Sequence, residues 1–218
     1  MPATRRERRR AETTAEIKTV ALKHLVEDGV DAVSLRAVAR ELGMASGSAY
    51  TYFPTREALL ATLAADLRAD LAHTLEAARA TADTPAAQLI AHGLAYRDWA
   101  LAHPHEFRLV FSAAAQHADT ADYDLCLGLV SLATQARLPQ TIHPYDWSEM
   151  NQSFAALART RFPDLQPATL ALALRIWGRM HGLVTLELDG ILAPQIADPA
   201  ALYRDELTDL AASLGAPA

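Results

Sequence analysis

Apolar residues recur at three- and four-residue intervals along almost the whole of this 218-residue chain, and no stretch shows the strict alternation that a half-buried strand requires. A helix with one apolar stripe must bury it against another element, so the expected fold is all-α, helix packed on helix. Glycine and proline mark the ends. Ile17, Val20, Ala21 and Leu25 predict a first helix over Thr13 to Asp28, with Gly29 just past its end. Ser34 is a natural N-cap for a short helix carrying Leu35, Val38, Ala39 and Leu42, which Gly43 terminates. A third short helix is expected from Ser46 to Phe53, stopped by Pro54. Thr55 then caps a long fourth helix with a stripe of Leu59, Leu60, Leu63, Leu67, Leu71 and Leu75 that runs to a break around Thr81.

The rest of the chain continues in the same pattern. Thr84-Pro85 opens a helix that ends at His103-Pro104, and helices over Pro104 to about Gln116 and Ala121 to about Arg137 follow. Pro139 to Tyr145 reads as a loop. Asp146 then caps a helix whose Trp147, Met150, Phe154 and Leu157 share one face as far as Phe162-Pro163. Between Ala168 and Leu188 apolar residues occupy more than one face, so this helix is either central to the core or sandwiched between its core and a partner. Asp198-Pro199 opens the last helix, with Leu202, Leu207, Leu210 and Leu214 on a narrower stripe. With 51% apolar and 21% charged residues the chain can bury one substantial core or two modest ones, so a globular chain and not a disordered or fibrous one is expected. The longest apolar run, Leu125 to Thr134, is about half of what a bilayer span needs, so no membrane segment is expected. Arg5 to Arg10 lack the apolar stretch that follows the basic start of a signal peptide, and the expected location is cytoplasmic. The single cysteine, Cys126, lies among leucines where a buried, inert thiol is expected.

The net charge of −6 is unevenly distributed. Residues 1–56 carry 10 Lys/Arg against 7 Asp/Glu, a balance of +3, and residues 57–218 carry the remaining −9. That asymmetry points to an N-terminal unit that meets a polyanion and an acidic body that does not. Lysine occurs only at Lys18 and Lys23, so arginine is the default cation of this chain and its position says more than its type.

Two short helices joined by a glycine-containing turn, with a first helix behind them, are the elements of a helix-turn-helix, whose second helix enters the major groove of DNA. Ser46, Gly47, Ser48 and Thr51 are small or hydroxylated, which allows close approach to phosphates and hydrogen bonds to base edges. All aromatic residues of the first 56 positions, Tyr50, Tyr52 and Phe53, fall beside them. Ala49 and Phe53 suit the small core. Tyr50 and Tyr52 then either direct their hydroxyls at a duplex or serve as ordinary packing residues. The run Arg5, Arg6, Arg8, Arg9 and Arg10 reads either as a flexible arm that orders along the minor groove or phosphates, or as a solvated tail.

Ser34-Leu35-Arg36-Ala37-Val38-Ala39-Arg40-Glu41-Leu42-Gly43, followed by Gly47-Ser48-Ala49-Tyr50-Thr51-Tyr52-Phe53-Pro54-Thr55-Arg56-Glu57-Ala58-Leu59, resembles the DNA-binding segment of the tetracycline-repressor (TetR) family. The resemblance covers about residues 10–60 and implies a homodimeric all-helical transcriptional regulator with a C-terminal effector-binding domain. It further implies DNA contacts at Ser34, Arg36, Ser46, Gly47, Ser48, Tyr50, Thr51, Tyr52 and Arg56. Ala49 stands where the family commonly has leucine, and Arg56 where it usually has lysine. On this reading residues 1–56 form the DNA-binding domain and residues 57–218 the effector-binding and dimerisation domain. The partners are a pseudo-palindromic double-stranded operator, an unidentified small-molecule effector and a second copy joined through the last two helices. Repression relieved by effector is the expected sign, with a ligand-independent or activating regulator as the alternative.

Ile176-Trp177-Gly178-Arg179-Met180-His181-Gly182-Leu183, with Tyr96 to Pro104 upstream, also resembles the WHG-type C-terminal domain of some members of that family. His181 and Trp177 are neighbours on one helical face and either pack together or contact an effector. Tyr96, Trp99, Phe107, Phe111, Trp147, Met150, Phe154, Trp177, Met180 and His181 supply the aromatic and soft side chains of the C-terminal region. They suit the wall of a pocket for an apolar or aromatic effector and equally suit a core. No hydrolase, P-loop or zinc-protease motif occurs, so a helical enzyme or plain ligand-binding protein is only a remote alternative. His103-Pro104-His105 brackets a helix break, and neither a metal nor a cofactor is expected there.

Overall fold

The computed structural model of the chain describes residues 4–112, 124–135 and 143–213. Among them are helices α1 (Arg5–Asp28), α2 (Leu35–Glu41), α3 (Arg56–Arg79), α4 (Pro85–Ala102), α5 (Pro104–Val110), α6 (Asp124–Thr134), α7 (Gln152–Arg161), α8 (Pro167–Leu188) and α9 (Pro199–Ser213). No strand occurs among the described residues. The all-α expectation holds. The expected ends of the helices over Pro104 to Gln116 and Ala121 to Arg137, and the start of the Pro139 loop, lie outside the described residues.

Three local differences from the sequence reading have identifiable causes. The first helix starts eight residues earlier than expected, because Thr4 and Glu7 form a capping box: the Thr4 hydroxyl accepts from the Glu7 N–H, and the Glu7 carboxylate accepts from the Thr4 N–H at 2.7 Å. Arg5 to Arg10 are therefore helical, and the expectation of a flexible arm is corrected. Residues 46–53 form turns around a 3-10 segment, Ala49–Thr51, instead of a regular helix. The helix expected from Asp146 divides in two. Asp146 caps only the 3-10 turn Trp147–Glu149, Met150 is extended at φ −99° and ψ 151°, and Asn151 caps α7 afresh by accepting from the Phe154 N–H.

The chain divides into two compact units, one of residues 4–67 with 103–112, the other of residues 68–102 with the described residues from 124 onward. Helix α5 thus belongs with the N-terminal helices, although the sequence reading assigned everything after residue 56 to the second domain.

In the first unit Ile17, Ala21 and Leu25 of α1 meet Leu35, Val38 and Ala39 of α2, Ala49, Phe53, and Leu59, Leu60, Leu63 and Ala64 of α3. Leu109 of α5 completes this core. Burying a leucine-sized side chain contributes about 1.5–3 kcal/mol, so the nine side chains named here that are larger than alanine hold even the two seven-residue helices, α2 and α5, which are too short to be stable alone. Gly29 ends α1 at φ +82°, where a side chain would be strained, and a Cβ there would lie 3.2 Å from Nδ1 of His105 on α5. Polar ties fix the outside: Lys18 pairs with Asp66, and Glu41 accepts from Lys23 at 2.9 Å and meets His24 Nε2 at 2.7 Å.

In the second unit α8 packs on α6, α4 and α9, and α4 packs on α9. The first half of α8 is buried almost all round, from Thr169 to Ala173, whereas its second half buries one face through Ile176, Met180 and Val184. Gly93 lets α4 approach α9 so closely that any side chain at 93 would overlap Leu207. Arg97 of α4 grips Glu187 of α8 through two hydrogen bonds of 2.7 and 2.5 Å, with both side chains largely shielded from water. Trp99 Nε1 donates to Asp70 on α3 at 3.1 Å. No described helix is long and apolar enough to cross a membrane.

Candidate functional site

The N-terminal face is built by a sequence of caps. The Ser34 hydroxyl accepts from the Ala37 N–H at 3.3 Å, which starts α2 and leaves the hydroxyl proton free to donate. Arg36 follows on the exposed side, while Leu35, Val38 and Ala39 go into the core. Gly43 adopts φ +65° to end α2, and Ser48 N–H donating to Ala45 O at 2.8 Å carries the chain into the 3-10 segment. That segment is anchored from inside by Ala49 and Phe53, both buried, as the sequence predicts. Ser46, Gly47, Tyr50 and Thr51 are exposed; Ser48 and Tyr52 are half-buried.

Two arginines act differently from their sequence reading. Arg10 reaches across to the turn segment: its guanidinium donates to Thr51 O at 3.0 Å and lies 5.2 Å from the centre of the Tyr52 ring. The helical basic segment is thereby tied to the 3-10 segment Ala49–Thr51 and to Tyr52. Arg56, expected to meet a phosphate, spends its guanidinium internally. Its Nε donates to Val33 O at 2.8 Å and its terminal nitrogen to Val30 O at 2.6 Å, closing the 3-10 turn Val30–Ala32 that delivers Ser34. No short sequence pattern announces either contact, since the partners are 41 and more than 20 residues away. Arg5, Arg8 and Arg9 remain exposed around Glu12 on α1, and Arg6 is exposed beside them.

The ten aromatic and soft residues do not gather in one place. Phe107 and Phe111 belong to the first unit, their rings 4.8 Å apart at 57°. In the second unit Tyr96, Trp99, Phe154 and Met180 are buried. The Tyr96 hydroxyl lies 2.7 Å from His181 Nδ1, and the Trp177 and His181 rings are 5.7 Å apart, so Tyr96, Trp177 and His181 form one contact cluster between α4 and α8. Burial lowers the His181 pKa and raises that of Tyr96, keeping both neutral and suited to hydrogen bonding. Trp147 and Met150 are half-buried outside that cluster, with Arg159 stacked 5.1 Å over the Trp147 ring.

A cleft of about 480 Å³ in the second unit is lined by residues of α3, α4, α6 and α7, among them Arg79, Gln88, Gly128, Ser131, Arg161 and Phe162. None of the ten candidates lines it. Arg79 donates to Nδ1 of the buried His92 at 2.9 Å and pairs with Glu76. Burial, aided by the Arg79 charge, drives the His92 pKa down to about 3, so its ring is a neutral acceptor. Burial pushes the half-buried Cys126 thiol up to about 12, which makes it a poor nucleophile. His103 faces Glu106 at 3.5 Å, and among the described residues no three His, Cys, Asp or Glu side chains converge as metal ligands would.

The described bacterial regulatory proteins of the tetR family match this chain over residues 17–63, and the tetracyclin repressor-like C-terminal domain matches it over residues 89–210. HTH-type transcriptional regulators of Mycobacterium tuberculosis and Mycobacterium bovis are 38% identical over 110 residues, 49% of this chain and 47% of theirs. The chain thus spans about half the length of the curated relatives it matches. The crystal structure of a candidate regulatory protein, SCO4313, superimposes with a TM-score of 0.68 at 28% identity, covering 95% of this chain and 98% of that one. A TetR variant from Acinetobacter baumannii AYE in complex with minocycline shares the fold alone, with a TM-score of 0.58 at 15% identity over 91% and 94% of the two chains. With the first match spanning the turn-containing unit and the second covering more than half of the chain, this protein belongs to the TetR family of bacterial regulatory proteins.

Proposed function

We propose that this protein is a sequence-specific DNA-binding transcriptional regulator, a homodimeric repressor that a small molecule releases from a pseudo-palindromic operator in the cytoplasm. The observation that carries the reading is the exposed set Arg36, Ser46, Gly47, Tyr50 and Thr51 on the edge of a tightly packed helical unit. Donors and small residues at that edge meet phosphates and base edges, while the buried core keeps their spacing fixed. Ser34, Ser48 and Tyr52 supply further hydroxyls there, and Arg5, Arg6, Arg8, Arg9 and Arg10 extend the positive charge along α1. The first unit does the reading in this account, and the second dimerises and takes the effector.

The dimer contact falls on α8 and α9. Leu174, Gly178, Gly182 and Leu186 form a stripe at four-residue spacing, with Leu174 and Leu186 exposed and open space around both glycines. A second α8 can approach along such a row, and a two-fold axis makes the contact self-complementary. The two reading segments then address half-sites about 34–36 Å apart or a multiple of that spacing. An effector releases the duplex only by as much as it prefers the conformer with misplaced reading segments. Selection from a random duplex pool at low salt tests this function directly. Enrichment of an inverted repeat, bound by a dimer and weakened steeply by added salt, is the expected result; failure to enrich any sequence refutes it.

A further inference from the structure

The cleft beside Arg79 is an unusual place for a largely shielded cation. Arg79 has a side chain only 12% exposed, yet its one acidic partner among the described residues, Glu76, is 68% exposed at the rim. His92 accepts a hydrogen bond from the guanidinium while remaining neutral, so it satisfies geometry without cancelling charge. Gly128 of α6 makes room for the arrangement, since a Cβ at that position would collide with the guanidinium. To the same lining α7 contributes Arg161, exposed and without an ion pair among the described residues. The half-buried amide of Gln88 and hydroxyl of Ser131 add donors, while Leu132 and Phe162 add apolar surface.

Two guanidinium groups against one carboxylate leave the cleft lining with net positive charge, although residues 57–218 as a whole carry −9. Local potential of that sign in a concave, partly desolvated site favours an anion, and paired guanidinium groups suit a carboxylate in particular. The volume fits a ligand of metabolite size. We infer that the cleft binds small amphipathic organic acids, with the carboxylate between Arg79 and Arg161 and the apolar body against Leu132 and Phe162. As a claim about the effector this rests on the ligand-released reading above; as a claim about binding it stands alone. It differs from the largely apolar or aromatic effector expected from the sequence in requiring a carboxylate.

The test uses the full chain, with octanoate and 4-phenylbutyrate as probes and their methyl esters as neutral controls, followed by titration calorimetry. Each acid is expected to bind about tenfold more tightly than its ester, the worth of one charge-assisted hydrogen bond. Arg161→Gln, at an exposed site that tolerates change, should remove about that factor for the acids and leave the esters alone. Gly128→Ala, checked for folding by circular dichroism, should weaken the acids by displacing Arg79. Esters binding as well as acids, indifference of the acids to R161Q, or no saturable binding of either acid at millimolar concentration overturns the inference. Operator retardation separates the two claims. Acids that bind through Arg161 but never release DNA sink the effector role alone; release by a neutral compound, unaffected by R161Q, keeps the regulator reading and likewise overturns the effector role of the cleft.

Discussion

His92 gives the protein an acid sensitivity that can be worked out from its surroundings. The side chain is 2% exposed, accepts a hydrogen bond from Arg79 and has its pKa lowered from 6.5 to about 3, chiefly by burial and secondarily by the Arg79 charge. A folded-state pKa below the unfolded value means that the unfolded chain binds the proton more readily. Stability is therefore unaffected well above pH 6.5 and falls as the pH drops from about 6.5 toward 3. At pH 5 the unfolded imidazole is almost fully protonated and the folded one is not. Relative to pH 7, this difference amounts to about 2 kcal/mol, at about 1.4 kcal/mol per pH unit once below 6.5. The size of the loss at pH 5 is set by the unfolded histidine and changes little for any folded value below about 4.

The perturbation is His92→Asn, which keeps an acceptor in the position of Nδ1 and cannot titrate. Removal of the ring will itself cost about 1–3 kcal/mol, but that cost is common to both pH values. Urea unfolding at pH 7 and pH 5, at one protein concentration and with slopes compared, isolates the pH-dependent part. The parent protein should lose about 2 kcal/mol more than the variant between the two values. His181, whose pKa burial also lowers, acts in the same direction but is present in both proteins and cancels. Equal losses in parent and variant would refute the picture of a neutral buried imidazole against Arg79.

Arg56→Met tests whether that side chain is a structural clamp. Two guanidinium hydrogen bonds to Val30 and Val33 disappear, and with the side chain 37% exposed to water the cost should be about 1 kcal/mol in urea unfolding. The salt dependence of operator binding should keep its slope, whereas loss of about one unit would mark a phosphate contact. Arg10→Gln and Arg5→Gln each remove one charge from α1, but only Arg10 holds Thr51 and Tyr52. In gel retardation at a single salt concentration the Arg10 variant should therefore bind operator more weakly than the Arg5 variant; equal losses would reduce Arg10 to a simple charge.

What the sequence determined by itself is what short-range chemistry controls. Gly29 and Gly43, Pro85, Pro104 and Pro199, and the caps at Ser34 and Asp146 stop and start helical segments whoever their neighbours are. Three- and four-residue periodicity likewise selected Ile17, Leu25, Val38, Ala49, Phe53 and Leu59 as inward-facing, and the turn between α2 and the tyrosine-rich segment exposed the family. The capping box at Thr4 and Glu7 was also legible in the spacing, though the basic run beside it suggested a loose arm.

Tertiary structure decided the rest, because periodicity says which face of a helix is apolar and not which partner covers it. Phe107 and Phe111 carry the same pattern as the aromatic residues of α4 and α8, yet α5 lies with the N-terminal core. The spread of the aromatic candidates follows from that. Long cations show the same limit more sharply. A guanidinium meets whatever acceptor the packed helices bring within reach, so Arg10 ended on the Thr51 carbonyl, Arg56 on Val30 and Val33, and Arg79 on His92. Those partners lie far along the chain or on another helix, and only the packed core brings them to hydrogen-bond distance.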